Sequence, residues 1–109
     1  MPTETQLYDE AIELQEAGKL DEAVGKLEAL VAAQPGFALA YAALSVFYGK
    51  QGRHEEAVAQ AQKVCDLEPA DPFSFMAMSL TCQRAGRIAE AEQAMAQAME
   101  LQWSAHGGL

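Results

Sequence analysis

The sequence predicts an all-α fold, a right-handed α-solenoid of three antiparallel helix pairs. Three observations predict it. A short segment that opens on a glycine and a basic residue and closes on Glu-Ala recurs as GKLDEA, GRHEEA and GRIAEA, and its glycines Gly18, Gly52 and Gly86 stand 34 residues apart. Ala23, Ala57 and Ala91 keep the same step, as do Pro35 and Pro69. Within each unit, apolar residues recur at i, i+3 or i+4, and i+7, which is one face of a helix. An internal repeat of this length signals stacked helical hairpins.

The elements follow in order. In the first unit Leu7, Ala11 and Leu14 form the apolar stripe of one helix, which Gly18 stops. Ala23, Leu27 and Leu30 form the stripe of the next, which Pro35 closes. The second unit carries Tyr41, Leu44 and Tyr48, then Ala57, Ala61 and Val64, and ends at Pro69. The third carries Phe75, Met78 and Cys82, then Ala91, Met95 and Ala98. Trp103 stands where a third proline would fall, so the last helix is expected to run past Leu101 to near Ser104. Residues 1–109 therefore read as a single domain with repeats at about 4–37, 38–71 and 72–105. Half of the residues are hydrophobic, enough for a real core.

The recurring segment has a packing rationale. A glycine accepts the left-handed backbone that ends a helix. The acids behind it, Asp21 and Glu22 or Glu55 and Glu56, fall in the first turn of the next helix and complement its dipole. The alanine lets two antiparallel helices approach closely, and a second small residue recurs on the partner helix as Ala11, Ser45 and Ser79. Because each glycine is solitary, the segment does not read as a phosphate loop.

Charge narrows the function. The chain carries a formal −9, and −6 of it lies up to Pro35, where eight acids face Lys19 and Lys26. Such a chain is not expected to bind nucleic acid or an anionic membrane surface, since both need a basic face. The start, MPTETQLYDE, has neither the basic nor the apolar region of a signal peptide, and no stretch is long and apolar enough to span a bilayer. A cytoplasmic location is expected. Cys65 and Cys82 lack metal or redox-motif spacing and read as buried reduced thiols.

Catalytic chemistry is not indicated. His54 and His106 are the only histidines. His54 opens a helix beside two acids and is expected to face water, and His106 lies in the tail. No His, Cys, Asp and Glu set has metal-ligand spacing. No catalytic residues, metal or cofactor are assigned, and the chain is read as a non-enzyme.

The period, the Gly-x-x-x-x-Ala core at Gly18–Ala23, Gly52–Ala57 and Gly86–Ala91, the small residues Ala11, Ser45 and Ser79, and the closing Pro35 and Pro69 together resemble the tetratricopeptide repeat family. The resemblance covers about residues 4–102. It departs from the family pattern at Leu7, where an aromatic is favoured, and at Trp103, where the proline is lost. In such a superhelix the first helices of the pairs line the concave face. The expected groove residues are Tyr8 and Ile12 with Thr5 and Asp9, then Leu39, Ala42 and Val46 with Ala43, and Phe73, Met76 and Leu80 with Ala77. The expected ligand is an apolar peptide or amphipathic helix of another protein, which makes the chain an adaptor. One subclass of the family grips a C-terminal carboxylate through lysines, asparagines and an arginine. The matching places here hold Tyr8, Ile12, Ala43, Phe73 and Ala77, so that function is rejected.

A self-associating scaffold is the alternative. On the outer face of the second helices, Val24 and Val31, then Val58 and Cys65, should meet the following repeat. The third repeat has Glu92 and Met99 there, and Glu92 reads as part of a terminal cap. Ala96, Met99 and Trp103 nevertheless leave an apolar line, which a weak homodimer would cover.

Overall fold

In the computed structural model, which describes residues 3–107, six helices follow one another. They are α1 (Glu4–Glu16), α2 (Leu20–Ala33), α3 (Ala38–Lys50), α4 (His54–Leu67), α5 (Pro72–Arg84) and α6 (Ile88–Ala105). Consecutive helices pack into the pairs α1–α2, α3–α4 and α5–α6, and the pairs stack through α2 on α3 and α4 on α5. The result is an all-α helical-repeat solenoid measuring 47 × 30 × 21 Å.

The recurring glycines make the sharp turn inside each pair. Gly18, Gly52 and Gly86 have φ of 81°, 78° and 79°, the left-handed region that favours glycine. Two backbone bonds close each helix end. The Gly18 N–H donates to the Gln15 carbonyl at 3.0 Å and the Lys19 N–H to the Leu14 carbonyl at 2.8 Å. The same two bonds recur from Gly52 and Arg53 to Gly49 and Tyr48, and from Gly86 and Arg87 to Gln83 and Cys82. This is the Schellman arrangement, which satisfies carbonyls that a helix end otherwise leaves bare. Two helices also carry side-chain caps. Thr3 and Gln6 form a reciprocal capping box at α1. Asp71 accepts from the Phe73 N–H at 3.0 Å at the start of α5, with Pro72 in the first turn.

Small residues line the contact within each pair. Ala11, Ala23, Ser45, Ala57, Ser79 and Ala91 are all buried. A hydroxyl in that position needs a partner, and Ser79 Oγ donates to the Ala91 carbonyl at 2.7 Å. The larger apolar residues gather in two clusters. Leu27, Leu30, Leu44, Phe47 and Tyr48 build one around the first two pairs, and Val58, Cys65, Met78 and Cys82 build the other around the last two. Burying side chains such as Leu27 and Leu44 stabilises the stack by about 1.5–3 kcal/mol each.

Polar links join neighbouring pairs at the rim. Tyr48 Oη donates to Glu28 Oε2 at 2.6 Å, Gln51 Nε2 donates to Asp21 Oδ1 at 2.8 Å, and Arg87 pairs with Glu55. Arg53 lies over the Tyr48 ring at 4.2 Å. Burial and the Glu28 carboxylate push the Tyr48 phenol up to about 12.

Two expectations are corrected. Met95 is not part of the inner stripe of α6; it is 38% exposed, and Ala94 is buried with Ala91 and Ala98. Its counterparts Leu27 and Ala61 are buried in helices that a further pair follows, and among the described residues no helix follows α6. His54 does not stand free in water. It is partly buried, and its Nδ1 is shut away with no hydrogen-bond partner among the described residues. The last helix ends at Ala105, one residue beyond Ser104.

Candidate functional site

Helix α3, ALAYAALSVFYGK, is apolar around most of its circumference. One side is consumed by packing: Ala40, Ala43, Leu44, Phe47 and Tyr48 enter the first core cluster. Leu39 and Val46 are left on the opposite side. Helix α5 is built alike, with Met78 and Cys82 turned inward. Its Phe73 and Leu80 remain outside. These four side chains are between 46% and 69% exposed, although each is large and apolar.

They face one another across a concavity of about 420 Å³, a volume in the range of ligand-binding clefts. Leu39, Ala42 and Val46 form one wall, and Phe73, Ala77 and Leu80 form the other. Ala61 and Val64 of α4 contribute to the lining, as do Ser45 and Thr81. The two hydroxyls are satisfied. Thr81 Oγ1 lies 2.8 Å from the Ala77 carbonyl and spends its single hydrogen there, so Ser45 Oγ, at 3.2 Å, donates to Thr81 Oγ1. Charge enters only at the ends. Glu68 and Asp71 lie at the end where α5 begins, and Arg84 at the end where it finishes.

Of the residues expected to line a groove, Leu39, Ala42, Val46, Phe73 and Leu80 come together here. Tyr8, Ile12 and Met76 do not. Tyr8 and Ile12 are partly buried against the first core cluster, and the Tyr8 ring centre is 6.1 Å from that of Phe37. Burial, with Asp9 alongside, raises the Tyr8 phenol. The cause is the direction in which equivalent positions face. Ala42 points from α3 toward α5, so its counterpart in α1, Tyr8, points toward the second pair and fills the space there. Met76, the counterpart in α5, is partly buried and does not line the concavity. Ala43, also expected in the groove, is buried in the first core, whereas its counterpart Ala77 lines the groove.

Sequence reasoning missed Val64, Thr81, Glu68, Asp71 and Arg84. The signal for Val64 was ambiguous, because it continues the inner stripe of its helix. The charged residues were legible only as helix-end residues.

Elsewhere, Met99 and Trp103 on α6 are 61% and 55% exposed. Cys65 and Cys82 are buried free thiols in the second core cluster. Burial, Asp66 and Cys82 push the Cys65 thiol up to about 11, and its sulfur lies 3.3 Å from the Ser74 carbonyl. Among the described residues no three His, Cys, Asp or Glu side chains converge as metal ligands. Nor is any helix among them long and apolar enough to cross a membrane.

Comparison with known proteins agrees with this architecture. The tetratricopeptide repeat family profile matches residues 8–74. No curated protein sequence gives a match. Among solved structures, MamA from Desulfovibrio magneticus RS-1 superposes with a TM-score of 0.83 at 27% identity, covering 92% of this chain and 56% of that one. The translocator chaperone SycD of Yersinia enterocolitica type III secretion gives 0.81 at 22% identity over 91% and 75% of the two chains. The second tetratricopeptide repeat domain of Spaghetti (RPAP3), solved with the HSP90 peptide SRMEEVD, gives 0.79 at 21% identity over 90% and 91%. The chain spans about three fifths of the length of the MamA chains it matches.

Proposed function

The chain belongs to the tetratricopeptide repeat family, and from that membership we propose that it is a protein-interaction module, an adaptor that holds an apolar peptide or amphipathic helix of another protein in the groove between α3 and α5. One observation carries the reading. Leu39, Val46, Phe73 and Leu80 stay exposed around one concavity, whereas most of the other large apolar side chains are buried or partly buried. An exposed apolar patch of this kind marks an interaction surface. We assign the repeats to about 4–37, 38–71 and 72–105 within a single domain at 1–109.

The peptide in the RPAP3 structure is not carried over. The places that would grip a C-terminal carboxylate hold Tyr8, Ile12, Ala43, Phe73 and Ala77, which offer no cation or amide. The acid excess speaks against nucleic acid and anionic membranes as partners. Two buried free thiols suit a reducing compartment, so the proposed location is cytoplasmic. Enzymatic activity and a cofactor form no part of the proposal.

A variant carrying Val46→Glu and Leu80→Glu tests the groove. Both side chains are exposed, so helicity and cooperative melting should persist while partner capture is lost. Capture undiminished by the two charges would move the binding surface elsewhere. A second reading, self-association through α6, is favoured by the exposure of Met99 and Trp103.

A further inference from the structure

Given the groove reading above, on which this inference rests, we infer that the occupant is an amphipathic helix running antiparallel to α3 and α5, with acidic residues in its first turn and basic residues in its last. The groove carries charge at its two ends and none between them. Glu68 and Asp71 stand where α5 begins, and Arg84 where it ends, with Lys50 finishing α3 at that same end. Among the described residues neither Glu68, Asp71 nor Arg84 forms an ion pair, although the rim elsewhere is rich in them. Asp71 uses one carboxylate oxygen to cap α5. The apolar walls hold the occupant in place, and the ends discriminate its direction.

The length and the dipoles select a helix. From Asp71 to Arg84 the groove edge follows α5, about 20 Å at 1.5 Å per residue. A helix of three to four turns fits that span and presents residues spaced at i, i+3 and i+7 to the Leu39–Val46 and Phe73–Leu80 walls. Acidic residues favour the N-terminal turn of a helix and basic residues the C-terminal turn. Such a helix meets Arg84 with its acids and Glu68 and Asp71 with its bases only when it runs opposite to α5. That direction also opposes the helix dipoles. A parallel helix of the same composition would set acid against acid.

Two blocked synthetic peptides of about 14 residues test this, with leucine at helical spacing and either Glu-first, Lys-last or Lys-first, Glu-last charges. Fluorescence anisotropy should show the Glu-first peptide binding about three- to tenfold more tightly, as expected for rim charges. The preference should fade in high salt. Peptides differ in intrinsic helicity, so the decisive arm changes the protein. A chain with Glu68→Arg and Arg84→Glu leaves Asp71 and Lys50 in place, brings each end of the groove to neutral and should lose most of the preference between the two peptides. A central proline in the Glu-first peptide should abolish binding. Equal affinities for the native chain, a preference that the charge-swapped chain keeps in full, or undiminished binding of the proline peptide would overturn the inference and leave the groove standing. Failure of both peptides to bind the native chain would instead remove the groove reading itself.

Discussion

Across the floor of the groove the Ser45 hydroxyl oxygen stands 3.2 Å from that of Thr81, a side-chain link from α3 to α5. These helices belong to different pairs, so the bond holds the two groove walls in register. Its direction is dictated by the Thr81 hydrogen, which is already given to the Ala77 carbonyl. Thr81→Val keeps the shape but strands the hydroxyl of the buried Ser45. It should cost about 0.5–1.5 kcal/mol. Ser45→Ala should cost less, because Thr81 keeps its bond to Ala77. Denaturant melts of both variants and of the double variant would check this through their coupling; equal, additive costs would mean that the hydroxyls do not interact.

The buried thiols make stability fall in alkali. The Cys65 thiol is raised from 9.0 to about 11 in the folded chain, chiefly by burial. Between those values the unfolded chain loses the proton and the folded chain keeps it, so unfolding is favoured progressively as pH rises. Below pH 9 this contribution is constant. Tyr48, raised from 10.0 to about 12, extends the decline at higher pH. Melting temperatures measured from pH 8 upward should drop, and Cys65→Ala should flatten the part between 9 and 11. An unchanged slope in that variant would contradict the assignment.

The outer face of α6 gives a separable test. Met95, Met99 and Trp103 are exposed along it, and their removal from water would favour association. Sedimentation of the native chain at rising concentration should show reversible dimer, which Met99→Lys with Trp103→Lys should shift to monomer. Monomeric behaviour of both chains would end the self-association reading.

Much of the fold was legible because packing left local marks. The positive φ at Gly18, Gly52 and Gly86 and the buried alanines at Ala23, Ala57 and Ala91 are what a repeated Gly-x-x-x-x-Ala implies. The groove was legible only by half. Helical periodicity tells which residues share a face but not which neighbour that face meets. Tyr8, Ala42 and Met76 hold one register, yet Tyr8 packs on the first core, Ala42 lines the groove, and Met76 lies outside it, partly buried. Met95 shows the same limit. Its register predicts burial, and the missing cover over α6 reverses it.

The groove itself is tested most directly by amide and methyl NMR on the native chain titrated with the Glu-first helical peptide. The largest shifts should fall on Leu39, Ala42, Val46, Phe73, Ala77 and Leu80, with the outer face of α6 unaffected. Shifts centred on Met99 and Trp103, or on the acidic surface of α1, would contradict the assignment of binding to the α3–α5 groove.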